Sequence, residues 1–138
     1  MPELLRCAAI PCGSCPYRRD VASGIWDETE YHKLPAYDGS TWEQPTAVFL
    51  CHQGDGCLCA GWVGCHDARH LLAFRMQAAR IDPMVFDYES PAPLFASGAE
   101  ACRHGLAEFE DPGEQAQRVI RGLRKKRTRV RGGPDAQA

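Results

Sequence analysis

The chain has 138 residues, 44% of them hydrophobic and 25% charged, a balance that suits one ordinary folded domain and argues against disorder throughout. Its longest apolar run, residues 47–51, is far shorter than the roughly 18 residues of a membrane span. The formal net charge of −2 hides two unlike parts: residues 1–117 hold 17 acidic against eight basic side chains, a net of −9, while Arg118–Arg131 holds eight basic side chains and no acid.

Residues 1–11 are a lead-in without the basic start, apolar stretch and small-residue cleavage site of an export signal. The expected compartment is therefore the reducing cytoplasm, where clustered cysteines bind metal more often than they pair as disulfides. That matters because the chain carries eight cysteines. Cys12-Gly-Ser-Cys15 is the first group, two thiols on one turn able to hold one metal ion. Arg18 and Arg19 follow, either as partners for a negatively charged thiolate centre or as a solvated pair.

The next segment predicts a short helix: Asp27 is placed to cap, Glu30 stands three residues on, and Trp26 and Tyr31 can staple across the start. Pro35 ends it, and 36–45 reads as a loop. Thr46–Leu50 predicts a strand that delivers the chain into Cys51–His66. Four glycines in that stretch predict tightly folded irregular backbone. A single helix is expected over 67–80, with Leu71, Phe74, Ala78 and Ile81 on one face. Ser97-Gly-Ala-Glu100 is a capping box for a helix to about Glu110, and Pro112 is expected as the first residue of the last helix, whose inner face is Val119, Ile120 and Leu123. The helix is expected to dissolve into the basic run, and 132–138 to form a disordered tail. The expected fold class is α+β: a small, mostly helical domain with a short strand or hairpin beside a cysteine-ligated metal site. A metal-centred acidic unit is expected over 1–117, with the basic helix end and tail over 118–138.

Two cysteine groups about 35 residues apart predict one shared metal centre, because a four-thiolate site takes two ligands from each. Spacing leaves the second pair open among Cys51, Cys57, Cys59 and Cys65, with His52 as a further candidate. Zinc is the leading metal; the wide Cys51-x7-Cys59 spacing and the Cys15-Pro16 step suit a four-iron cubane cluster as the alternative.

Several motifs together, Cys12-Gly-Ser-Cys-Pro-Tyr-Arg-Arg-Asp20, Ser23-Gly-Ile-Trp26, Phe49-Leu-Cys-His-Gln53 and Cys59-Ala-Gly-Trp62, resemble an uncharacterised family of small cysteine-rich proteins of actinobacteria and their phages. The resemblance spans roughly residues 10–110 and carries no assigned activity. It implies the ligand set Cys12, Cys15, Cys51 and Cys59, with Cys7, Cys57, Cys65 and Cys102 additional, and leaves the basic tail outside.

Other constellations are weaker. His66 and His70 stand one helical turn apart and could join Cys12 and Cys15, but an ordinary surface role for His70 is the simpler reading. Cys51-His52 lacks a nucleophile motif or an acid partner in sequence, and there is no His-Glu-x-x-His, so the reading leans away from an enzyme. The basic residues Arg124, Lys125, Lys126, Arg127, Arg129 and Arg131 suit nucleic-acid phosphates, an acidic protein surface, or solvent alone. No aromatics interleave them, so nucleic-acid contact would be weakly sequence-specific. The expected function is a non-enzymatic zinc protein acting through macromolecular interaction, with nucleic acid or transcription machinery as partner classes. An iron–sulfur protein for redox sensing or electron transfer comes second, a metal-dependent enzyme third.

Overall fold

The computed structural model describes residues 3–53 and 56–131, with side chains as far as residue 126. Tail residues 132–138, expected to be disordered, lie outside the described residues. Five α-helices stand in it: α1 (Glu28–His32), α2 (Ala60–Cys65), α3 (Leu72–Met76), α4 (Gly98–Ala107) and α5 (Glu114–Arg131). Short 3-10 turns connect them, among them Leu34–Asp38.

The expected α+β class is corrected. The fold is helical, and among the described residues extended backbone meets only as single bridges, Leu5 with Ile81, Cys7 with Leu58, Leu50 with Leu58 and Arg18 with Leu94. Thr46–Leu50 does run beside the cysteine loop: Cys59 N–H donates to Phe49 O and Cys51 N–H to Cys57 O, both at 2.8 Å. The ladder stops there because Pro45 precedes it, while on the partner side the chain turns at Gly56 (φ +81°) and enters α2 at Ala60.

Three helix expectations also change. Residues 67–80 form a 3-10 turn, α3 and another 3-10 turn rather than one helix. Leu71 is extended (φ −76°, ψ 120°), and Leu72 N–H donates to Gln44 Oε1 at 3.0 Å, so a side chain from elsewhere replaces the helical acceptor. Leu71, Phe74 and Ile81 are buried as expected, whereas Ala78 is exposed. The glycine-bearing segment after Cys59 is helical after all. Finally, α5 begins at Glu114, two residues beyond Pro112, and continues through the basic run to Arg131.

Local chemistry explains the remaining helix ends. Asp27 accepts from Thr29 N–H, and the Tyr31 hydroxyl accepts from the N–H groups of Ile25 and Trp26, which turns the staple into a hydrogen-bonded clasp. Ser97 Oγ accepts from Glu100 N–H at 3.1 Å. Asp38 then caps α4 from another element, taking Gly98 N–H at 2.7 Å and Ala99 N–H at 2.8 Å.

The core is aromatic. Trp62 on α2 is fully buried, with ring centres 5.1 Å from Phe74 and 5.3 Å from Tyr37, and Tyr17 lies 5.9 Å from Phe49. Ala116 of α5 is also fully buried, with Val119, Ile120 and Leu123 packed more shallowly against the same core. Helix α4 packs closely on α1 at a glycine: a Cβ at Gly105 would lie 2.1 Å from the Tyr31 ring. Gly105→Ala is therefore expected to cost about 1–3 kcal/mol or more. Gly122→Ala, in α5 with nothing within 4 Å, is expected to gain up to about 1 kcal/mol. Urea unfolding of the two variants checks both signs.

Candidate metal centre

The CGSC segment turns because Cys15 N–H donates to Cys12 O at 3.0 Å and Arg18 N–H to Cys15 O at 3.1 Å. This turn drives Cys15 inward to 1% exposure. There it meets Cys59, which stands at the N-cap of α2, and the two sulfurs lie 3.7 Å apart although 44 residues separate them. Two distant cysteine groups thus converge.

The surroundings of these sulfurs are built from backbone. N–H groups of Tyr17, Arg18 and Gly61 face the Cys15 sulfur, and Trp62 N–H donates to the Cys59 sulfur at 3.4 Å. A side chain at position 61 has no room, since its Cβ would lie 2.4 Å from the Cys15 sulfur. The hydrogen bond from Cys59 holds the Cys15 pKa below its usual value despite burial, and the same bond, with burial, pushes Cys59 well above. Arg18 lies close enough to feel Cys15 and Cys12, while its guanidinium is held by Asp20 at 2.8 Å and by Pro11 O at 2.8 Å.

Around the pair, Cys12 is half-buried on the same turn, its sulfur 3.6 Å from Ser14 Oγ. Ser14 is buried; its hydroxyl accepts from Gln53 Nε2 at 3.2 Å and its carbonyl from Trp26 Nε1 at 2.7 Å. Gln53 Oε1 in turn accepts from Lys126 Nζ of α5 at 2.7 Å. Cys51 is half-buried and tied by its backbone to Cys57. Among the described residues, no group of three or more Cys, His, Asp or Glu side chains is gathered in a form that could hold a metal ion.

The other candidates separate from the pair to different degrees. Cys57 lies near Cys7, whose pKa is raised by burial, against an opposing backbone hydrogen bond, with a smaller push from Cys57. Cys65 is pushed up to about 12 by burial and then by the charges of Asp38 and Glu100, which marks it as a protonated thiol. Cys102 sits on α4, its pKa also raised by burial. His52 has a side chain only 5% exposed, Nε2 3.3 Å from Glu30 Oε1, and its ring centre 4.8 Å from Trp26 and 5.2 Å from Phe49. His66 and His70 go to different carboxylates, Asp38 at 4.0 Å and Asp67 at 3.5 Å. Arg124, Lys125 and Lys126 are exposed on α5; the side chains of Arg127, Arg129 and Arg131 lie outside those described.

Sequence reasoning missed Gly61, Ser14, Gln53 and Glu30. A glycine inside Cys59-Ala-Gly-Trp62 is a signal for close approach; nothing in the sequence links Gln53 to Ser14 or Glu30 to His52.

Residues 7–127 match a family of unknown function (DUF6283), and the chain belongs to that family. No curated protein and no solved structure matches it. Among the described residues no helix is long and apolar enough to cross a membrane.

His66 offers a titration test of this interior. Burial lowers its pKa, opposed by Asp38, so the folded chain holds the imidazole neutral while the unfolded chain takes up a proton near its ordinary value of about 6.5. The stability is complete above about pH 6.5 and falls as pH drops below it, because the unfolded state then binds more protons. Denaturation midpoints measured from pH 8 to 5 are expected to fall less steeply in His66→Gln than in the wild type.

Proposed function

We propose that this chain is a non-enzymatic metal–thiolate protein, with zinc as the metal, acting through macromolecular interaction along its basic helix. The observation that carries the reading is the buried Cys15–Cys59 approach at 3.7 Å with backbone N–H groups turned onto both sulfurs. A tetrahedral zinc with bonds of about 2.3 Å holds its sulfurs roughly 3.8 Å apart. In a cubane cluster each cysteine holds a different iron, which spreads the sulfurs further; the separation therefore supports a single ion over the iron–sulfur alternative. N–H donors stabilise thiolate rather than thiol, and a buried thiolate pair needs a cation.

Cys12 and Cys51 complete the proposed ligand set. Cys12 shares the turn with Cys15, and Cys51 lies on the segment whose backbone pairs beside Cys59. Metal affinity and stability are then linked. The interaction surface is α5, where Arg118, Arg121 and Lys125 recur at helical spacing, exposed and without ion pairs among the described residues. Nucleic-acid phosphates are the proposed partner, an acidic protein surface the competing one.

Protein prepared without oxygen is expected to be colourless with about one zinc per chain. Cys12→Ser is expected to lose the metal and melt at lower temperature, whereas Cys102→Ser keeps it; equal metal content in both would sink the ligand set, and a brown preparation would replace zinc by iron and sulfide. Replacing Arg118, Arg121 and Lys125 by Ala is expected to weaken binding to a random duplex and to shallow its salt dependence by about three phosphate contacts. Unchanged titrations in fluorescence anisotropy would remove nucleic acid as partner.

A further inference from the structure

A groove of about 870 Å³ opens between α1 and α5, floored by residues 47–52. That volume lies within the range of small-molecule sites, about 300–1,000 Å³. Its lining is mixed, with an apolar strip in which Ile25, Val48 and Phe49 face Ile120 and Leu123 of α5 across the opening. Each of those α5 residues is only half-buried, so the helix closes the groove incompletely.

The charged groups around the groove are unequally satisfied. Glu30 gives one carboxylate oxygen to Lys33 Nζ and the other to the buried His52 ring at 3.3 Å. Asp27 is engaged by the N–H and hydroxyl of Thr29, which hold its pKa below the usual carboxylate value. Arg124 has no carboxylate partner among the described residues, and Lys125 and Lys126 follow it on the same helix. The groove's charges are thus segregated, with Arg124 on the α5 lip and the ionised Asp27 and the Glu30–Lys33 pair on the α1 side, so an anionic head is directed to the α5 lip.

We infer that this groove is a binding site for a small amphipathic anion, an alkyl or aryl body with a carboxylate or phosphate head, the body in the slot and the head on Arg124. A cationic amphiphile of the same shape would be repelled at that lip, and a neutral one would leave the guanidinium without a partner. The inference does not rest on the metal reading, although Cys51 of the proposed ligand set lines the groove floor.

The test uses the full-length protein with 8-anilinonaphthalene-1-sulfonate as fluorescent probe and decanoate, decyl phosphate and decanol as competitors. Probe fluorescence is expected to rise on binding and to be displaced by decanoate or decyl phosphate, with decanol at least about ten-fold weaker because it lacks the charge. Whichever anion competes better names the head group. Arg124→Glu is expected to weaken both anions about ten-fold or more, and Arg103→Glu, exposed on α4 outside the groove, to leave them within about two-fold. Decanoate is also expected to raise the melting temperature, since a ligand of the native state stabilises it. Equal displacement by decanol, equal behaviour of the two arginine variants, or a lowered melting temperature would each overturn the inference.

Discussion

Two sulfur atoms in contact at the centre of the molecule set most of what surrounds them. For Cys15 and Cys59 to meet, the CGSC turn must point inward and α2 must begin at the second cysteine, and position 61 must be glycine so that the helix can lie against Cys15 and Tyr17. The aromatic core follows from that docking. Trp62 enters one turn into α2, and Tyr37, Phe49 and Phe74 close around it. A buried sulfur pair would be a weak anchor by dispersion alone. Its strength lies in the donors: N–H groups at the start of α2 and after the CGSC turn face the two sulfurs.

The same frame ties the basic helix to the sulfur site. Lys126, Gln53, Ser14 and the Cys12 sulfur form one chain of polar contacts, and α5 buries Ala116 in the core. The cationic segment is thus the outer face of a packed helix over the residues whose side chains are described. Its charge is presented in a fixed direction, which suits steering of an anionic partner better than a free tail would.

Function-bearing features were unevenly legible along the chain. The caps at Asp27 and Ser97 were readable, because capping depends on side chains within three residues. Convergence of the two cysteine groups was expected from their spacing, and Cys15 and Cys59 do meet. The strand at Thr46–Leu50 and the single helix at 67–80 were read wrongly for one physical reason. A β-branched apolar stretch and an apolar face at helical spacing describe what a segment prefers, whereas pairing at Phe49 and interruption at Leu72 were decided by Cys57–Cys59 and Gln44. Glycines misled in the segment after Cys59, where Gly61 serves close packing inside a helix instead of breaking one.

By itself the sequence determined composition-level facts and local chemistry: a cysteine-rich acidic body, a cationic C-terminal stretch, the thiol pair on one turn and the helix caps. Only the tertiary structure decided which distant sulfurs touch, that Glu30 meets His52, that Asp38 caps α4, and that a groove lies between α1 and α5. Local features follow from the energetics of a few neighbouring residues. Contacts across tens of residues depend on how complete surfaces fit, and that fit is set where side chains such as a Cβ at 61 or 105 have no space.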